Sequence, residues 1–165
     1  MGIEASLHQV TEDQLKMLQE NDRLIDEWIF YEEEDPGVLV DEGLYLGKSF
    51  YGLNEIITGD HLGGEPPASY AIFGKHVLFE DDWGIHSCTY LISMEVREVW
   101  EVLRKITIDD LASRFDAEEM NETPIYPAYG WEDSDFGYLF GLFQKTLDYY
   151  RSAVERKNAM VHLIY

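Results

Sequence analysis

The chain is poor in cysteine and in basic residues, and both shortages exclude classes of protein. Cys88 is the single cysteine, so a disulfide-stapled scaffold is excluded. Twelve Lys and Arg residues stand against 33 Asp and Glu residues, which gives a formal net charge of −21. Binding to nucleic-acid phosphates or to anionic membranes needs clustered basic side chains, so the composition predicts neither kind of partner.

Long hydrophobic runs and targeting signals are also missing. The longest apolar runs have about four residues, as in 70–73, whereas a membrane-spanning helix needs ~20. The first residues lack the basic start and apolar stretch of a secretion signal. A lone thiol without an export signal is typical of the reducing cytoplasm, where we expect this protein to act.

The apolar content of the chain is nevertheless high enough for a packed core. Its 165 residues are 45% hydrophobic and 14% aromatic, which sets it apart from disordered acidic chains. No repeat of fixed period and no low-complexity linker divides the sequence. We therefore predict one domain over residues 1–165, since domains usually have ~100–200 residues.

Apolar spacing and capping residues predict short strands that alternate with helices. Thr11 and Gln14 form a capping box that should start a helix ending near Glu20, with Asn21 in a left-handed conformation. The second expected helix begins at Asp22 and ends by the acidic run 32–35. Two more cover 50–57 and 96–106. Short helices should start at Thr107 and at Asp116, and the last expected helix fills 133–156. The expected strands are 3–10, pieces within 38–47, 76–79, 88–91 and 159–165. This alternation favours an α/β fold in which helices cover a mixed sheet.

Motifs of common catalytic sites are absent or weak. The sequence has no glycine-rich phosphate loop and no nucleophile elbow. Cys88 lies near His76 and His86, but a lone cysteine on an expected strand is more typical of a small buried residue than of a nucleophile. The same three residues, with Asp81 and Asp82 between them, show no diagnostic ligand spacing, so we expect no metal and no cofactor. Carboxylate pairs are too numerous to single out one for acid–base catalysis.

One aromatic group stands out in the stretch between the last two expected helices. Tyr126, Tyr129 and Trp131 lie in an irregular, proline-flanked segment. Aromatic side chains in such a loop can line a ligand cleft or an interface. They can equally close the end of the core, and the residues alone leave both readings open.

Several segments together resemble a known family. The run 50–59, Phe-Tyr-Gly-Leu-Asn-Glu-Ile-Ile-Thr-Gly, is similar to the Trp-x-x-Leu-His-x-x-Leu-Thr-Gly helix of the YfbM-like family, small bacterial proteins of unknown function. Further similarities lie at Met1-Gly2, Tyr90-Leu91 with Glu95-Val96, Phe115-Asp116 with Met120-Asn121, Ile125-Tyr126-Pro127, and Tyr149-Tyr150. They span nearly the whole chain. The resemblance implies a three-layer α/β/α fold, and it brings no assigned activity.

The chain departs from this family pattern at two positions of the Thr-Gly helix. Phe50 stands where the family has tryptophan, and Asn54 stands where it has histidine. A catalytic role of that histidine would be lost here, which weighs against an enzyme. We take Asn54, Tyr126, Tyr129 and Trp131 as candidate binding residues, and no catalytic residue can be named.

The uneven charge favours a non-enzymatic binding module that faces a basic protein partner. Residues 1–35 carry 11 acids and 2 bases, whereas residues 122–165 carry 6 acids and 4 bases. Such asymmetry accelerates association with a cationic partner. An immunity- or antitoxin-like protein would have this composition. The alternative is a small hydrolase with a cleft near Tyr126 and Trp131, which a carboxylate or histidine of shifted pKa in that cleft would favour.

Overall fold

The computed structural model describes residues 2–30, 41–80, 87–127 and 130–165 as eight helices and five strands. The strands are β1 (Ala5–Val10), β2 (Leu44–Gly47), β3 (His76–Glu80), β4 (Ser87–Leu91) and β5 (Ala159–Ile164). The helices are α1 (Glu12–Glu20), α2 (Leu24–Phe30), α3 (Phe50–Thr58), α4 (Tyr70–Phe73), α5 (Ser93–Leu103), α6 (Ile108–Ser113), α7 (Ala117–Glu122) and α8 (Asp135–Arg156). The expected strand piece 38–40 and the acidic run 32–35 lie outside the described residues.

The five strands form one sheet in the order β2-β1-β5-β4-β3. The helices and strands confirm that the fold contains both types of element. Every neighbouring pair of strands is antiparallel, so the predicted mixed sheet is wrong. The alternation of strands and helices along the chain does not fix strand direction.

The middle of the sheet is enclosed on both faces. All six residues of β1 are buried, and alternate residues of β1 and β5 belong to two separate apolar clusters. Leu7 and Met160 join the cluster that contains residues of α3, α5 and α8. Val10 and Val161 join the one that contains Leu15 of α1. The three-layer arrangement stays a prediction.

Helix α1 begins as its sequence predicts but ends differently. The Thr11 Oγ1 accepts the Gln14 N–H at 3.1 Å, and the Gln14 Oε1 accepts the Thr11 N–H at 2.8 Å, which confirms the capping box. Asn21 is extended, with φ −146°, so its predicted left-handed conformation is wrong. Its N–H still donates to the Met17 carbonyl, so one of the last carbonyls of α1 is satisfied without a left-handed residue.

Helices α5 and α8 supply about a third of the buried residues of the first cluster. In α5, Val96, Val99 and Leu103 are fully buried, while Trp100 is half-buried beneath the Arg104 guanidinium, 5.2 Å from its ring. Helix α8 ends at Lys157 in a left-handed conformation, one residue before the expected Asn158. Among the described residues, no helix combines the length and apolar content needed to cross a membrane.

Candidate functional site

The candidate site forms where α3 ends and the chain turns back. Gly59 has a left-handed φ of +78°, and its N–H donates to the Glu55 carbonyl at 2.7 Å. Glycine is favoured in this conformation because it has no β-carbon, so the Thr-Gly pair ends α3 as predicted. The turn that follows brings the His61 imidazole beside the Glu55 carboxylate, with Nδ1 and Oε2 3.8 Å apart.

Arg114, which follows α6, covers the end of the same helix. Its Nη1 donates to the carbonyls of Ile56, at 3.3 Å, and Ile57. These are among the last carbonyls of a helix, which have no partner within the helix. A cation is also favoured there by the helix dipole. The guanidinium is thereby tied to backbone oxygens at one wall of the site.

A pocket of about 240 Å³ opens between α3, α6 and α7. Its walls contain four carboxylates, one imidazole and one guanidinium, together with apolar and small residues. They are Glu55, Gly59, Asp60, His61, Arg114, Asp116, Glu119, Met120, Thr123 and Ile125. With His61 neutral, the side chains of this pocket, which we call the acidic pocket, carry three net negative charges.

Glu55 is the carboxylate with the most unusual surroundings in the acidic pocket. Its side chain is 18% exposed and that of His61 is 24% exposed. Burial raises the pKa of Glu55, an effect that the nearby His61 opposes and the Asp60 and Glu119 carboxylates reinforce. The negative charge of Glu55 is therefore costly, and a cation placed in the pocket would stabilise it.

A second Glu–His group, at the start of α5, has the opposite character. The Glu95 carboxylate accepts from Lys75 Nζ at 2.7 Å, contacts His76 Nε2 at 2.9 Å, and accepts the Ile92 N–H at 3.1 Å. Although burial opposes it, the hydrogen bonds from Lys75 and His76 hold the pKa of Glu95 below its usual value. Its lone pairs are occupied, so this group joins β3 to α5 and leaves little for a ligand.

Two more histidines are enclosed in the sheet. His8 contacts the Ser6 Oγ at 2.9 Å, and the His162 Nε2 contacts the Tyr150 Oη at 2.9 Å. Burial lowers the pKa of His8 to about 4 and that of His162 to about 3. Both imidazoles are neutral at physiological pH, and their lowered pKa values make them weak bases there.

The aromatic candidates named from the sequence serve mainly to close the core. Trp131 is 7% exposed; its Nε1 donates to the Ile125 carbonyl at 3.0 Å, and its backbone pairs with the Asn121 side chain. A β-carbon on Gly52 would lie 2.5 Å from the Trp131 ring, so the indole rests directly on α3. The Tyr126 hydroxyl accepts the Ile3 N–H at 2.9 Å. Tyr129 lies outside the described residues.

Neither Tyr126 nor Trp131 lines the acidic pocket, but both lie close to it. Ile125, whose carbonyl holds the Trp131 indole, is part of the pocket wall. The Tyr51 ring stands edge-on to Tyr126 and to His61, at centroid distances of 6.3 and 6.4 Å. The sequence thus singled out residues beside the pocket without naming the residues that line it.

Asn54, the fourth candidate, lies beneath the pocket. It is fully buried, and its Nδ2 donates to the carbonyls of Asp60 at 2.6 Å and Gly63 at 2.9 Å. These bonds hold the turn that carries His61. Sequence analysis passed over Glu55, His61 and Arg114. The available signal was the pair Asp60 and His61, which directly follows Gly59 at the end of α3. The first residues beyond a helix end often line the space next to that end.

Two of the residues considered for metal binding, His76 and Cys88, lie within the described residues. His76 is held by Glu95, and Cys88 is buried in β4. His86, Asp81 and Asp82 lie outside the described residues. Across the described part of the chain, no three His, Cys, Asp or Glu side chains converge in a way that could hold a metal ion.

Comparison with known proteins gives a family and a fold. Residues 1–163 match the family described as "Domain of unknown function (DUF1877)". The crystal structure of YfbM, a protein of unknown function from Escherichia coli, is similar to this chain with a TM-score of 0.76 at 20% sequence identity. The match covers 98% of this chain and 99% of that one, and at this identity it shows the fold alone. No curated protein matches the chain.

Proposed function

Because the chain belongs to the DUF1877 family, whose function is unknown, we propose a function from its own residues: it is an acidic interaction module that binds a basic protein partner. The acidic pocket receives a cationic side chain of that partner. The observation that carries the proposal is the charge of the pocket, where four carboxylates accompany a single guanidinium that already bonds to backbone carbonyls. The net charge of −21 supports the same choice of partner.

The chemistry of Glu55 favours a cation as the occupant of the pocket. Its charged form is penalised by burial and by the neighbouring carboxylates. An entering guanidinium or ammonium group removes part of that penalty and gains charge-assisted hydrogen bonds. Binding is therefore expected to lower the pKa of Glu55. An immunity- or antitoxin-like role, in which an acidic protein covers a basic one, is the form of this function that we favour.

A pair of small peptides tests the pocket without a known partner. Acetyl-Gly-Arg-Gly-amide is compared with its citrulline analogue, which has the same shape without the charge, by NMR titration of the labelled protein. We expect saturable shifts at Glu55 and His61 with the arginine peptide alone. Glu55→Gln should weaken binding by about tenfold, the loss of one charge-assisted hydrogen bond.

The control is Glu20→Gln, which removes the same charge from the exposed end of α1. This variant should bind the peptide as the wild type does. Shifts that spread evenly over the acidic surface, or an equal loss in both variants, would show only attraction to a polyanion and would contradict the proposal.

The same pocket supports a second function, a small hydrolase, because Glu55 and His61 stand side by side. A carboxyl group with a raised pKa is suited to act as a general acid, and a neutral imidazole as a general base toward water. Arginine esters and amides are the matching substrates for an acidic pocket. If this function holds, the wild type hydrolyses them, and Glu55→Gln and His61→Gln each abolish the activity; if the wild type is inactive, the hydrolase is excluded for this class.

A further inference from the structure

The turn at the rim of the acidic pocket is held from below by a residue that is not part of the pocket wall. Asn54 is fully buried, and its Nδ2 bonds to the carbonyls of Asp60 and Gly63. These two carbonyls bracket His61 in sequence. The position of the Asn54 amide therefore determines the positions of the His61 ring and the Asp60 carboxylate.

Two further contacts fix the same turn. The Thr58 Oγ1 accepts the Asp60 N–H at 3.1 Å and donates to a carbonyl of the turn or of α3. Gly64 has a φ of +108°, and a β-carbon there would lie 2.4 Å from the Thr58 Cβ, so the chain passes directly against α3. The turn is thus tied at its start, at its end and along its inner side.

The carbonyl oxygen of the Asn54 amide, unlike its Nδ2, does not hold the turn. Its Oδ1 is buried and has no hydrogen-bond partner among the described residues. A buried acceptor without a partner is unfavourable, and an apolar side chain would avoid that cost. The presence of an amide at position 54 is explained by its two N–H donors, which hold the turn and which a hydrocarbon side chain would lack.

We propose that Asn54 is the positioning residue of the acidic pocket: it sets Asp60 and His61 at the rim so that an entering cation meets them together with Glu55. This rests on the proposed function for its ligand. Asn54 does not touch the cation. It acts by preorganising the turn. Binding then avoids the loss of conformational entropy that ordering a flexible turn would cause.

The test uses Asn54→Ala and the arginine peptide acetyl-Gly-Arg-Gly-amide. We expect at least about fivefold weaker binding, because the turn loses both side-chain bonds and must be ordered by the ligand. We also expect the titration of Glu55, followed by carboxyl NMR in the free protein, to move toward that of an exposed glutamate. A residue that only supports the fold would leave the Glu55 titration unchanged in a folded variant.

Matched variants separate this effect from a general loss of stability. Leu62→Ala changes an exposed side chain, 65% accessible, on the same turn and should behave as the wild type. Thr58→Val breaks the hydroxyl bonds to the turn and should reproduce part of the Asn54→Ala effect, while Thr58→Ser should restore it. If Asn54→Ala does not fold, the Thr58 pair decides the question.

The outcomes distinguish this inference from the proposed function. A folded Asn54→Ala with unchanged peptide affinity and unchanged Glu55 titration overturns the positioning role and leaves the binding function standing. A wild type that binds no arginine peptide overturns the binding function, while the Glu55 titration in the variants still decides whether Asn54 positions the turn.

Discussion

The two Glu–His groups of this protein contain the same residue types and have opposite properties. Glu95 is 8% exposed and accepts hydrogen bonds from a lysine, a histidine and a backbone N–H. Glu55 is 18% exposed, and the nearest imidazole nitrogen stands 3.8 Å away. The pKa of Glu95 is lowered and that of Glu55 is raised. The difference arises from partners, since both carboxylates are mostly buried.

This difference distinguishes a carboxylate with a structural role from one that is available to bind a ligand. A buried carboxylate whose lone pairs are filled by fixed donors stabilises the fold and offers little to a ligand. A buried carboxylate that lacks such donors costs stability in the free protein and regains it when a cation arrives. Glu55 has fewer such donors than Glu95, with a backbone hydrogen bond from His61 but no lysine, and for that reason we propose the acidic pocket as the functional site.

The buried histidines give the largest expected effect, because burial outweighs every other influence on the pKa of each of them. The pKa of His8 is lowered to about 4 and that of His162 to about 3, so the unfolded chain takes up protons first as pH falls. Stability is complete above the unfolded value of ~6.5 and is lost progressively below it. Between pH 7.5 and 5, each histidine should cost ~2 kcal/mol of unfolding free energy.

Urea unfolding at the two pH values measures this loss. His8→Asn removes one titrating group, so its stability should fall by about half as much over the same range. The comparison between variant and wild type is needed because protonation of the many surface carboxylates also changes with pH. Equal pH dependence in both proteins would show that His8 takes up its proton without cost in the folded state.

The second prediction compares the two glutamates directly. Glu95→Gln should lose about 1–2 kcal/mol, because Lys75 and His76, which are themselves partly exposed, lose a charged acceptor and a capping interaction of α5 is weakened. Glu55→Gln should lie within about 0.5 kcal/mol of the wild type or be more stable, since it removes an unfavourable buried charge. Chemical denaturation at pH 7 measures both. A large loss for Glu55→Gln would place that residue among the structural ones.

The pH dependence of these two variants sharpens the same test. The lowered pKa of Glu95 contributes stability that is present above its ordinary value and lost as pH falls through the folded value. The raised pKa of Glu55 does the reverse, so its penalty disappears as pH falls. The differences of both variants from wild type should therefore shrink in acid, from opposite signs at pH 7.

The smallest expected effect is that of salt. Raising NaCl from 0.1 M to 1 M shortens the Debye length from ~10 Å to ~3 Å and relieves the self-repulsion of a chain with net charge −21. We expect a gain of about 1 kcal/mol or less in wild type and in Glu55→Gln alike, because salt screens exposed charges far better than half-buried ones. If added salt increases the stability of neither protein, the surface charge does not destabilise the fold.

Most of the elements could be predicted because their signals are local. The capping box at Thr11, the apolar stripe of α5 and the glycine that ends α3 each depend on residues a few positions apart. Strand direction depends on how the connections travel in space, and the sequence carries no local signal for it. For that reason seven of the eight described helices were found, all except α4, and the mixed sheet was wrong.

The candidate site could be predicted only to its neighbourhood. The aromatic stretch pointed to residues beside the pocket, but Trp131 proved to rest on Gly52 in the core. The pocket joins Glu55 to Arg114 and Glu119, which are far apart in sequence. Among the acidic residues that the structure describes, Glu55 is set apart by a pKa that burial raises, and burial is a property of the folded chain.

The position of β5 determines the order in which the sheet can be assembled during synthesis. This strand lies between β1 and β4, and the Asn158 Nδ2 just before it bonds to the Gln9 Oε1, 149 residues away. Until residues 159–164 leave the ribosome, the sheet can exist only as the separate pairs β2-β1 and β4-β3. Two-stranded sheets are marginal on their own, and their open edges can pair with other chains. The last strand to be made therefore joins the two halves of the sheet and removes two aggregation-prone edges at once.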